Sequence, residues 1–154
     1  MIRIIGIGSP FGADSCGLAA ARRLEREPPA GAQVVAVDRP GAALVDLLDG
    51  IDAAILIDAI RSGAPPGTVL DVDLREVLRS SPRPASSHDF GVAAAIHLAE
   101  ALGKLPPRGR LLGIEIAPRP SGTCTDGDAA IQDGLAEVVG RTREWVVAFL
   151  RPNG

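Results

Sequence analysis

The chain has 154 residues, 46% hydrophobic and only 3% aromatic, with a net charge of -3 and a pI near 5.3. That length reads as one domain over residues 1-154 with a full core, and a mean hydropathy of +0.20 excludes a disordered chain. The acidic balance gives no electrostatic case for nucleic acid or an anionic membrane, and no apolar run approaches the ~20 residues of a membrane span.

Ile2, Ile4, Ile5 and Ile7 mark a first strand over Met1 to Gly8, which ends in glycines. After a loop from Ser9 to Ala13, Asp14 to Glu27 reads as a helix with Leu18, Ala21 and Leu24 on one face, stopped by Pro28 and Pro29. Ala32 to Val37 is a second strand ending at Asp38, and a short helix follows through Leu44, Leu47 and Leu48. Ala53 to Ile60 is a third strand, almost wholly apolar and therefore expected at the centre of the sheet. A Gly- and Pro-rich turn leads to Thr68 to Leu74, whose alternation suits an edge or hairpin strand. Arg75 to Ser87 reads as an irregular loop, Asp89 to Leu105 as a helix and Leu111 to Ile116 as a strand. Pro118 to Asp128 is a second loop, and Ala129 to Leu150 closes the chain as a long helix. Strands alternating with helices predict an α/β three-layer sandwich, a mostly parallel twisted sheet of about five strands with helices on both faces.

Gly6-Ile7-Gly8 begins like a dinucleotide fingerprint, with Asp38 where a ribose-binding acid would stand. Phe11 occupies the place of the third glycine, and Pro10 removes a backbone donor, so nucleotide binding is disfavoured. The glycines are equally explained by a tight strand-to-helix turn. Asp14, at the head of a helix, has an ordinary explanation as a cap. Asp58 is harder to dismiss: a carboxylate near the end of a buried strand must be paired, hydrogen-bonded or ligating. Arg61 or the following turn could satisfy it. His88, after Ser86 and Ser87, stands before a helix, whereas His97 lies among Ala and Leu and is assigned to packing or solvent. In a parallel sheet the strand ends lie side by side, so Asp14, Asp58 and His88 can converge on one edge as two carboxylates and an imidazole, an open metal site. Cys16 could be a low-pKa thiol with His88 as its base, but a packed apolar role is the simpler reading. The two cysteines, Cys16 and Cys124, are too few for a disulfide framework. The amino terminus enters a strand with no cleavable leader, so a cytoplasmic location is expected.

Three stretches together resemble the hydrogenase maturation proteases, the endopeptidases that complete nickel-iron hydrogenase large subunits. They are Gly6-Ile7-Gly8-Ser9-Pro10-Phe11-Gly12-Ala13-Asp14-Ser15-Cys16-Gly17, then Leu56-Ile57-Asp58-Ala59-Ile60-Arg61-Ser62-Gly63 running on to Val69, and Ser86-Ser87-His88. Leu112-Gly113-Ile114-Glu115 completes the match. The resemblance implies metal ligation by Asp14, Asp58 and His88, catalysis by Asp14 and Asp58 directly or through the metal, and substrate contacts at Ser9 and Phe11. Ser9 replaces the family's usual Asn, and Ala13-Asp14 stands where two adjacent acids are common. It implies a nickel-loaded large-subunit precursor as partner, with removal of its carboxy-terminal peptide. No tightly bound cofactor is expected: the nickel comes with the substrate, and other divalent ions could substitute. The loops at 75-87 and 118-128 are the expected docking rim. The alternatives are a non-catalytic nickel-sensing or chaperone-like maturation factor and, further off, a nucleotide-dependent α/β enzyme.

Overall fold

The computed structural model describes residues 1-9, 15-80, 91-116 and 128-152. Five strands form one sheet in the order β2-β1-β3-β5-β4. They are β1 (Ile2–Gly8), β2 (Ala32–Asp38), β3 (Ala53–Ile60), β4 (Val69–Asp73) and β5 (Arg108–Glu115). The first, second, third and fifth are parallel, and β4 closes one edge antiparallel to β5. β3 takes the central place that its unbroken apolar run predicts, with Ala53 to Ile57 all buried.

Period-two alternation divides the core between the two faces of the sheet. On one face Ile2, Ile4, Ala53, Ile55, Ile57, Leu112 and Ile114 meet helices α1 (Cys16–Arg26) and α5 (Ala129–Leu150). On the other, Ile5, Ile7, Ala54 and Leu56 meet α2 (Leu44–Leu48), α3 (Leu74–Arg79) and α4 (Val92–Ala101). Three layers result. With few aromatic rings, the layers close through small residues such as Ala19, Ala20, Ala95 and Ala99.

The closest approach joins β1 to α1. A Cβ placed on Gly6 would lie 2.2 Å from the Gly17 carbonyl oxygen, and one on Gly17 would lie 2.0 Å and 2.4 Å from the carbonyl oxygens of Ile7 and Ile57. The first turn of α1 thus rests main chain on main chain above the crevice between β1 and β3. These glycines serve helix seating and need no nucleotide to explain them.

The structure departs from the sequence reading in four places. The helix expected from Asp14 begins at Cys16, with Ser15 in the N-cap position. Part of the loop expected over 75-87 is helix α3, whose cap is the Asp73 side chain accepting the Arg75 N–H at 2.8 Å. The helix expected over Asp89 to Leu105 runs from Val92 to Ala101. It stops where Gly103 takes φ +69°, its N–H reaching the Glu100 carbonyl and that of Lys104 the Ala99 carbonyl. β5 starts at Arg108 rather than Leu111 because its two arginines are covered by α5. The Arg108 guanidinium lies 5.4 Å from the Phe149 ring centroid, and that of Arg110 lies 4.2 Å from the Trp145 ring centroid.

Asp71 on β4 gathers this corner. Its carboxylate accepts from Arg110 Nε at 2.8 Å and Trp145 Nε1 at 3.0 Å, with Arg141 at 3.5 Å. The Asp71 and Arg110 side chains are 14% and 17% exposed, so removing one charge leaves its partner poorly solvated. Asp71→Ala is expected to lower unfolding free energy by about 3 kcal/mol in urea titration. Gly17→Ala forces a methyl into two carbonyl oxygens, and a loss of at least about 3 kcal/mol is expected in the same assay.

Candidate functional site

The chain order of the sheet locates a crevice. From β1 the chain moves outward to β2, then returns to the other side of β1 as β3. Beyond the carboxyl ends of β1 and β3 lies the topological switch point, where open α/β sheets bind their ligands. Two expected site residues stand there. Ser9 directly follows β1 and is 8% exposed. Asp58 lies one step beyond Ile57, which pairs with Gly6 across the two strands.

Asp58 falls on the α2, α3 and α4 face by alternation with Ala54 and Leu56, opposite the face on which α1 is seated. The carboxylate is half-buried, and its Oδ1 accepts the N–H of Ala59 at 2.9 Å. The donor is the next residue of β3 itself, not the following turn that the ordinary explanation invoked, and the bond is local. It is compatible with ligation, because a carboxylate offers about four acceptor positions and this bond takes one. Its neighbour in register on β5 is Gly113, where a Cβ would come 2.8 Å from the Ile60 side chain. Gly113 therefore lets Ile60 lie across β5 beside Asp58.

Asp14, His88 and Phe11 lie outside the described residues. Among the described residues no three metal-ligating side chains gather, two of the three expected ligands being beyond them. The other candidates have structural roles. The His97 ring nitrogen Nε2 is 3.3 Å from the Ser80 carbonyl oxygen, joining α4 to the end of α3. Asp38 holds Arg39 Nε at 2.9 Å, so the acid expected to mark a ribose site already has a cationic neighbour. Cys16 is 1% exposed in the core cluster, and among the described residues no cysteine is free.

One acid escaped assignment. Glu115 closes β5 and is 2% exposed, yet its carboxylate is fully engaged. Oε1 accepts the N–H groups of Ser62 and Gly63 at 2.8 Å and 3.1 Å, and Oε2 accepts the Ser62 hydroxyl at 2.7 Å. The signal was available, since Glu115 interrupts the apolar run between Ile114 and Ile116 much as Asp58 interrupts β3. Asp52 and Lys104, two described groups with displaced titration, lie at the other end of the strands. The amino terminus, by hydrogen bond and charge, holds Asp52 below the usual carboxylate range, and Asp49, followed by Asp46, raises Lys104.

A family model described as hydrogenase maturation protease matches residues 19–136, most of the chain. The chain belongs to that family. It is 32% identical over 118 residues to the hydrogenase expression/formation protein HupD of Thiocapsa roseopersicina, a match covering 74% of this chain and 53% of that protein. The chain thus spans about half the length of that curated relative. The fold is shared with the hydrogenase maturating endopeptidase HybD of E. coli, with a TM-score of 0.79 at 19% identity over 96% of this chain and 92% of that one. The NiFe hydrogenase maturation protease HybD of Thermococcus kodakarensis gives 0.68 at 22% identity, over 94% and 97%. The expected layered α/β architecture and the expected family both stand.

Proposed function

We propose that this member of the family is a peptidase that removes the carboxy-terminal peptide of a nickel-loaded hydrogenase large-subunit precursor. The observation that carries the reading is Asp58, a carboxylate at the switch point on the central strand of a chain from this family. In this reading Asp14, Asp58 and His88 receive the metal that the precursor brings. Two carboxylates and an imidazole suit a divalent first-row ion, and such a set does not select nickel over zinc by affinity. Three protein ligands leave coordination positions for donors from the substrate, so docking requires a loaded precursor. Ser9, at the end of β1, lines the same crevice.

The chemistry is hydrolysis of one peptide bond. Water adds to the scissile carbonyl carbon, its proton passes to a carboxylate, and the carbon–nitrogen bond breaks with a proton delivered to the leaving amine. In this reading Asp58 or Asp14 takes the first proton. The reading carries a cytoplasmic location with it. Among the described residues, no helix is long and apolar enough to cross a membrane.

Incubation of the purified protein with nickel-loaded precursor is expected to give a mass loss at the precursor's carboxy terminus. Precursor that stays intact would point to a nickel-sensing factor without catalysis. Asp58→Asn keeps an acceptor for the Ala59 N–H while removing the charge, and cleavage should fall about 10²–10⁴-fold in the folded variant. Asp14→Ala and His88→Ala should lose cleavage as well, and wild-type rates in Asp14→Ala would transfer its role to a neighbouring residue.

A further inference from the structure

Glu115 holds both ends of one turn. The segment from Arg61 to Thr68 leaves β3 just after Asp58 and returns as β4. Its near end is held by the Glu115 carboxylate through Ser62 and Gly63. Its far end is held by the Glu115 main chain, whose carbonyl accepts the Gly67 N–H at 2.8 Å and whose N–H reaches the Thr68 carbonyl at 2.9 Å. Gly67, at φ +87°, sits against the start of α5, where a Cβ would lie 2.2 Å from the Ala130 carbonyl oxygen. The turn is therefore fixed on three sides.

The placement of Glu115 bears directly on Asp58. Asp58 pairs with Gly113 and Ile60 with Glu115, so the two acids occupy adjacent same-face positions on neighbouring strands at the same end of the sheet. The Ile116 N–H continues the ladder to the Ile60 carbonyl at 3.0 Å. A buried carboxylate is a demanding way to secure a turn, because each oxygen must be satisfied in a site closed to water. What it supplies beyond an apolar plug is direction: three donors from two consecutive residues are aimed at one group.

We infer that Glu115 is a positioning residue, which fixes the turn after β3 and thereby aims the Asp58 carboxylate into the crevice. The inference rests on Asp58 being the working acid proposed above. Groups that orient a ligating or reacting side chain are commonly worth about 10–100-fold in activity or affinity. Glu115 would act wholly through Asp58, without touching the substrate.

The test compares Glu115→Ala, Glu115→Gln and Val146→Ala in the full chain. Val146 is 1% exposed near the end of α5, remote from the crevice, and its truncation controls for lost stability alone. The readouts are the kcat for precursor cleavage, thermal unfolding, and the NMR amide resonance of Ala59, which reports its bond to Asp58. Glu115→Ala is expected to shift the Ala59 resonance and lower kcat about 10–100-fold. Glu115→Gln should restore both, since an amide oxygen still accepts the two N–H groups and the Ser62 hydroxyl can turn to accept the new NH2. Val146→Ala should lose stability and keep both. An unmoved Ala59 resonance in Glu115→Ala, or a kcat loss no greater than that of Val146→Ala, overturns the inference. Should Glu115→Ala fail to fold, Ser62→Ala removes one donor of the three, and an unchanged Ala59 resonance there overturns it equally. If the parent protein cleaves nothing, the peptidase reading fails by itself, and the Ala59 resonance still decides whether Glu115 aims Asp58.

Discussion

The seating of α1 on two parallel strands governs the rest of the molecule. Gly6 and Gly17 let main chain meet main chain, and Gly17 lies against carbonyl oxygens of both β1 and β3. Any side chain at these two positions would lift the helix from the sheet, and the buried residues behind them, Ala20, Ala21 and Leu24, would lose their contacts. The first turn of α1 is thereby held directly over the crevice at the carboxyl ends of both strands. A steric requirement between two glycines thus fixes where the helix begins relative to the crevice.

Much of this was legible from pattern alone. β3 and α5 begin and end where their apolar periodicity places them, at Ala53 and Ile60 and at Ala129 and Leu150. Both are long and strongly patterned, so local preference and tertiary packing agree. What escaped was decided by neighbours. The polar Arg108-Gly109-Arg110 start of β5 looks like loop until Phe149 and Trp145 supply rings for its guanidinium groups. Helix α3 was hidden by the Pro and Ser residues after it, although Asp73 and Glu76 carry the spacing of a capping box and Leu74, Val77 and Leu78 a helical stripe.

The same division runs through the candidate site. Asp58 was legible because a charge within a buried strand demands an explanation. Glu115 carries an equal demand, and resemblance registered it as a matching letter without a role. Its meaning depends on the path of a turn some 50 positions earlier in the chain, as its bonds to Ser62 and Gly63 record. Long-range hydrogen bonding of that kind leaves no periodic trace in a sequence. The two acids lie at the same end of the sheet, and the carboxylate of Glu115 is spent on holding the turn that follows β3.

The chain has one tryptophan, and Trp145 is stacked on Arg110 with its indole N–H bound to Asp71. Arg110 lies three positions before Gly113 on β5, about 10 Å along the strand, on the face opposite Asp58. The natural fluorophore of this protein is therefore tuned to the corner where β4, β5 and α5 meet. Its emission follows the loss of that corner when the chain unfolds, and is largely blind to whatever enters the crevice.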